Sequence, residues 1–464
     1  MKAAGRLLLV MLSMAACCLA QQNPSDNPAT NRPASADAHS IPSAPTPQMT
    51  TATQQPPAGG APLSLKNAEN LAIKNNPRMS VARLSALAAQ QVIRETRSTL
   101  WPTAVANLTA VDANPGTRIT AGALNNPIVY QRAAVGTTVS QLITDFGHTR
   151  NLIASASLSA KAEEEDAVAT KEQILLAVDQ AFYAALQAHD LLTVAQQTVA
   201  ARQTVSDQIQ ALFNSKLKSQ LDLSFANVNL SQAKLLVLDA QNNENGALAT
   251  LSMVLGYPRI QSFQLVKDTT AATEPPANVD DLISQALSTR PEILSLELQF
   301  RSAQKFQSAQ HDLLFPNIRA VGTVGDTPVR NPVISNWYGA VGVNVEIPIF
   351  NGFLFNARSH EATLREQAVQ ERLADLRNTI ARDVRNSWLN ANTAFQRMDV
   401  TRQLLDQANL ALDLAQTRYK LGLGSIVELS QAQLQQTQAQ ISSAQAGYDY
   451  RLALAVVRYE TTGI

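Results

Sequence analysis

The chain has 464 residues and carries 37 Lys+Arg against 37 Asp+Glu, a formal net charge of zero. That balance gives no electrostatic reason to expect nucleic acid as a partner. Its two cysteines, Cys17 and Cys18, stand side by side near the N-terminus, which excludes a disulfide scaffold, a zinc ribbon or a cysteine nucleophile in the body.

Residues 1–20 read as an export signal. Lys2 and Arg6 form a short basic region, and the apolar run Leu7 to Ala16 is too short to span a bilayer. Two processing readings stand: cleavage after Ala20, or a loose lipobox, Met14-Ala15-Ala16-Cys17, that leaves Cys17 lipidated. Residues 21–62 hold nine of the 21 prolines among Ala, Ser, Thr and Gln and predict a disordered tether.

The rest is one unit written twice. Asn76-Pro77-Arg78 and Arg290-Pro291-Glu292 open similar runs 214 residues apart. Further on, an offset of 206 pairs Asp207 with Asp413, Asp222 with Glu428 and Leu223 with Leu429. The expected copies are 63–256 and 278–464, joined by a linker at 257–277. Each copy predicts a helix of about 22 residues (78–100, 292–314) and then a strand pair (103–112 with 128–144, 317–325 with 337–349). A long helix without Gly or Pro follows (148–213, 353–421), then a break and a returning helix (221–255, 426–461). Sixty-odd residues at 1.5 Å each make a rod of roughly 100 Å. Val384, Ala391, Met398, Leu405 and Leu412 recur every seven residues, a coiled-coil seam.

The strands decide the class. In 337–349, Trp337, Val341, Val343, Val345, Ile347 and Ile349 share one face, with Asn344 and Glu346 opposite. In 129–143, Val129, Ala133, Val135, Val139 and Ile143 share a face, with Arg132, Thr138 and Ser140 opposite. Trp101, Tyr130, Trp337 and Tyr338 lie near strand ends, as aromatic girdles do. Four strands cannot close a barrel and open edges are not tolerated in lipid, so copies must associate.

Tyr419-Lys420-Leu421-Gly422-Leu423 followed by Ile426-Val427-Glu428-Leu429, with its repeat partner Phe213-Asn214, Leu217 and Asp222, resembles the helix-turn motif of the TolC-like outer membrane factor family. The resemblance covers 63–464 and implies a mainly α fold with a small membrane β-barrel portion. It also implies a homotrimer with a twelve-stranded barrel in the outer membrane and a helical tunnel reaching across the periplasm. The implied function is an exit duct for efflux or type I secretion, without enzymatic activity, cofactor or metal. The implied partners are a periplasmic adaptor (membrane fusion) protein and an inner-membrane transporter of the RND or ABC type. The alternative is a periplasmic coiled-coil structural protein.

The family implies a gate at Asp222, Glu428 and Tyr419, and an adaptor-docking tip at Lys216, Leu217, Leu421, Gly422 and Leu423. Two departures stand out: the first-copy glycine is Lys216, and a basic residue of some members is Gly424. Lys216 and Lys420 are the cations expected to replace it. No Ser/His/Asp elbow or nucleotide-binding loop is present, and the five histidines have no metal-ligand spacing.

Overall fold

A computed structural model describes residues 62–112, 114, 132–267, 274–327 and 335–462. The signal, the lipobox with Cys17, most of the tether and Tyr130 lie outside the described residues. In chain order the elements are β1 (Pro62–Leu63), α1 (Leu65–Asn75), α2 (Pro77–Ser98), β2 (Thr103–Val111) and β3 (Arg132–Thr144). Next come α3 (His148–Asn214), α4 (Gln220–Val254), β4 (Gln264–Leu265), α5 (Val279–Thr289) and α6 (Pro291–Asp312). The last four are β5 (Asn317–Asp326), β6 (Trp337–Glu346), α7 (Leu354–Lys420) and α8 (Ile426–Thr462).

The two rods, α3 and α7, are 67 residues each, so each runs about 100 Å. Each packs along its own returning helix, α3 with α4 and α7 with α8. On α7, Val384 and Ala391 of the expected seam are fully buried. Beyond them the deepest positions shift to Thr401, Ala408 and Ala415, so small residues line the contact and the backbones approach closely.

The short helices α1 and α5 are additional to the predicted set. Each abuts the proline that opens the next helix, Pro77 or Pro291, and buries an alanine at the same place in the repeat, Ala72 and Ala286. Their caps are Ser64 and Asn278, whose side chains accept from Asn67 N–H and Asp280 N–H. Residues 62 and 257–267 contribute more than tether and linker. Pro62–Leu63 pairs in parallel with Gln264–Leu265, and Tyr257 and Phe263 pack against the core around Phe182 and Leu186. Here the rods also bury charge. Asp179 is pushed up to about 7 by burial and by Glu69 beside it. Glu172 is pushed up to about 7 by burial and by Glu292. Buried Arg290 is neutralised by Glu292 at 2.9 Å and Glu460 at 2.5 Å.

The strands form one antiparallel sheet in the order β2-β3-β5-β6, with β2 and β6 as open edges. Directly paired residues share a face, so the register sorts the side chains. One face carries Ala104, Ala106, Leu108 and Ala110; Ala133, Val135, Thr137 and Val139; Ile318, Ala320, Gly322 and Val324; and Trp337, Gly339, Val341, Val343 and Val345. The other carries Asn107, Thr109, Thr138, Ser140, Arg319, Thr323, Asn344 and Glu346, with Val105, Ala134, Val321 and Ala340 among them, and Asp326 at the far end of β5 is the acid on the first face. The apolar face is uncovered in the protomer: Val341 is 91% exposed and Leu108 is 82% exposed. Tyr338 departs from the girdle expectation. It lies on the polar face, where a Cβ at Gly136 or Gly325 would strike its hydroxyl. Strand β6 stops at Glu346 rather than 349, because its partner β5 begins at Asn317, directly opposite Glu346.

Two left-handed residues turn each strand pair into its rod, Phe146 and Gly147 in the first copy and Gly352 and Phe353 in the second. The Asp145 carboxylate secures the first junction, accepting from Thr149 N–H at 2.8 Å and from the Thr149 hydroxyl. Trp101, Phe146, Phe315, Phe350 and Phe353 are all exposed around these junctions, an aromatic band at the helical end of the sheet. Among the described residues no helix is long and apolar enough to cross a membrane.

Candidate functional site

At the far end of the rods each hairpin turns over in five residues, Ser215–Ser219 and Leu421–Ser425. The two turns are built alike. Leu217 N–H donates to Leu212 O at 2.9 Å, and Leu423 N–H donates to Arg418 O at 2.8 Å. These six-to-one bonds are Schellman closures, which need a left-handed residue just before the closing donor. Gly422 takes it at φ +76°, and Lys216 takes it at φ +62°. A non-glycine residue there costs about 1–2 kcal/mol, so Lys216 shows that the turn tolerates a side chain.

The returning helices are capped in parallel. Ser219 and Asp222 form a capping box: Asp222 N–H donates to Ser219 Oγ at 3.2 Å, and Ser219 N–H donates to Asp222 Oδ2 at 3.0 Å. Glu428 N–H donates to Ser425 Oγ at 3.1 Å. Asp222 is therefore occupied by its own helix end, whereas the Glu428 carboxylate reaches sideways to Arg418 Nε at 3.1 Å. Arg418 also donates from Nη2 to Leu423 O at 3.3 Å. Both partners are about half exposed, so the pair contributes roughly 0–1 kcal/mol and mainly orients Glu428.

The cations expected at the tip were Lys216 and Lys420. The structure places others against the residues expected at the gate. Arg418 pairs with Glu428, and Lys218 Nζ stands 4.0 Å from the centre of the Tyr419 ring. Lys218 is the 206-residue counterpart of Gly424. The cation thus sits in the first copy where some family members carry it in the second. The 206-residue offset that links Lys218 to Gly424 is the signal for it in the sequence.

Tyr419 is buried in a cluster with Ile209, Leu223, Ala226, Ala415, Ile426, Leu429 and Ala432. Ile209 and Ala415, Leu223 and Leu429, and Ala226 and Ala432 are repeat counterparts, so equivalent residues of the two hairpins share one core. The Tyr419 hydroxyl has no hydrogen-bond partner among the described residues. Burial raises its pKa, and the charge of nearby Asp222 adds to the rise. Around this core the tip exposes Leu217 at 70%, Leu421 at 68% and Leu423 at 69%. A Cβ on Gly422 would meet nothing within 4 Å.

A family model described as outer membrane efflux protein matches residues 69–257 and 282–458. The chain belongs to the outer membrane efflux protein family. TolC of Escherichia coli K12, an outer membrane protein, is 23% identical over 408 residues, spanning 83% of this chain and 81% of TolC. SilC of Salmonella typhimurium, a probable outer membrane lipoprotein, is 22% identical over 78% of this chain and 77% of its own length. The crystal structure of the CmeC outer membrane channel of Campylobacter jejuni covers 86% of this chain and 85% of CmeC, with a TM-score of 0.73 at 18% identity. The fold is thus the outer-membrane-channel fold, an α-helical tunnel joined to a β-barrel. As an outer membrane efflux protein the chain resides in the outer membrane and extends into the periplasm.

Proposed function

We propose that three copies of the chain close into a passive duct that carries substrate from a periplasmic adaptor and an inner-membrane pump to the exterior. One observation carries the reading. The four-stranded sheet has an apolar face, a polar face and two open edges, and its strands run on into paired rods of about 100 Å. An apolar face needs lipid, open edges in lipid need partners, and a polar face suits a water-filled lumen. Three sheets of four strands give twelve. A periplasmic coiled-coil protein would have no use for the uncovered face with Val341 and Leu108.

The exposed leucines and Gly422 form the surface an adaptor grips, and Lys216 sits beside them. Asp222 and Glu428 set carboxylates at the narrow end, six in a trimer, where like charges concentrate field and attract cations. Residues 63–256 and 278–464 act as two equivalent halves of each wall. Cys17, within the N-terminal region, is proposed as a lipid anchor on the precedent of a relative named as a lipoprotein.

The gate is tested in planar bilayers with the double variant Asp222→Asn, Glu428→Gln. Ser219 and Ser425 still accept their backbone hydrogen bonds, so the tip stays folded. Block by multivalent cations is expected to weaken several-fold and single-channel conductance to change. Tyr419→Phe is expected to raise conductance by loosening the closed tip, where the hydroxyl is buried between the two hairpins. Wild-type conductance and block in the double variant would leave the carboxylates with helix capping alone.

A further inference from the structure

Arg202 is a buried cation that the duct does not account for. It lies on α3, twelve residues before the end of that helix at Asn214, about 18 Å above the tip. Its side chain is only 8% exposed. Nη2 donates to Thr437 Oγ1 of α8 at 3.3 Å, a long bond. Burial pushes the guanidinium down to about 10 and no carboxylate acts on it, so it stays charged at neutral pH. Arg290 shows the contrast: the other buried arginine among the described residues is held by two glutamates. An isolated charge away from water is strongly disfavoured unless something of opposite sign sits beside it.

The space for such a group is present. Arg202 lines a cleft of about 230 Å³ between α3, α7 and α8, together with Thr198, Gln416, Gln433, Gln436 and Thr437. The lining mixes these polar groups with the apolar Ala201, Val205 and Leu412, and it carries no acid. The Thr198 and Thr437 hydroxyls donate to carbonyls of their own helices, Val194 O at 2.8 Å and Gln433 O at 3.1 Å. The Gln436 amide donates to Asn409 Oδ1 at 3.2 Å, which leaves the guanidinium and the other glutamine amides as the donors at the cleft, and Gln433 is itself 4% exposed. Donors around a single fixed positive charge suit an acceptor of one negative charge. A doubly charged oxyanion would need a second cation, and the lining supplies none.

We propose that this cleft binds one small monovalent anion, of the halide class, between the Arg202 guanidinium and the amide N–H groups of Gln433 and Gln416. The ion would join α3 of one hairpin to α7 and α8 of the other just above the tip. It would take the part that Glu292 and Glu460 play for Arg290.

The test uses the full-length protein in detergent, with sodium and ionic strength fixed while bromide replaces gluconate. Tm is expected to rise with bromide and to saturate, and the rise is expected to be lost in Arg202→Gln. Crystals of the unaltered protein grown in bromide should show an anomalous peak in contact with the guanidinium, a readout that stands even where Arg202→Gln fails to assemble. A Tm indifferent to bromide, a bromide response unchanged in Arg202→Gln, or a cleft without an anomalous peak would each overturn the proposal. So would a carboxylate from a neighbouring copy filling the cleft.

Discussion

A Gly422→Arg variant is expected to lose export to background while its trimer and its outer-membrane insertion stay intact. Gly422 is left-handed, at φ +76°, so a side chain there costs about 1–2 kcal/mol. Lys216 already carries that cost at the equivalent place in the first copy, at φ +62°, and the turn closes with the same bonds. Nothing stands within 4 Å of a Cβ at Gly422, so the new side chain projects outward without disturbing the core beneath Tyr419. A cation at the C-terminal end of α7 is favourable by about 0.3–1 kcal/mol, which offsets part of the strain. What changes is the surface: a bulky charge among Leu421, Leu423 and Leu217, where an adaptor would pack. Substrate efflux in cells, read beside trimer content and membrane fractionation, checks this. Undiminished export would remove the tip from the docking surface.

The second large effect is expected in the sheet. Arg at Val343 should sharply reduce outer-membrane assembly, because Val343 shares its face with Ala320 and its other apolar neighbours. A lipid-facing Arg near the bilayer midplane costs about 2–4 kcal/mol, and three copies repeat that cost. Arg at Asn344, one residue along, should lose far less, since Asn344 lies on the polar face; the like charge of Arg319 opposite it costs about 0.2–1 kcal/mol. A heat-shift gel on outer-membrane fractions reads both. Equal loss in the two variants would mean that this facing is wrong, and greater loss at Asn344 would mean that the faces are reversed.

Much of the architecture is legible in the sequence, for identifiable reasons. The rods declare themselves through runs without Gly or Pro, and the strands through alternation such as Val341, Val343 and Val345 against Asn344 and Glu346. The repeat offsets fix which residues correspond. The short helices α1 and α5 are harder, because eleven residues carry little more than two apolar turns, and each abuts a longer helix at a proline. The parallel pairing of Pro62–Leu63 with Gln264–Leu265 joins segments about two hundred residues apart, and no local pattern announces it.

At the tip the sequence places Asp222, Glu428 and Tyr419 together but misses their cations. The Schellman turn folds Leu423 back onto Arg418, ten residues before Glu428 in the chain, and that closure exists only in three dimensions. Arg202 is hidden for a related reason. On a helix rich in Gln and Thr it reads as a solvated face, and only the packing of α3 against α7 and α8 buries it.

The central claim is that this chain builds a water-filled passage through the outer membrane. It is tested most directly by single-channel recording of the purified full-length protein in planar lipid bilayers. Discrete, long-lived conductance steps carried by the trimer are the expected result. Trimers that insert into the bilayer without conducting, or protein that fails to insert and remains in the aqueous phase, would contradict it.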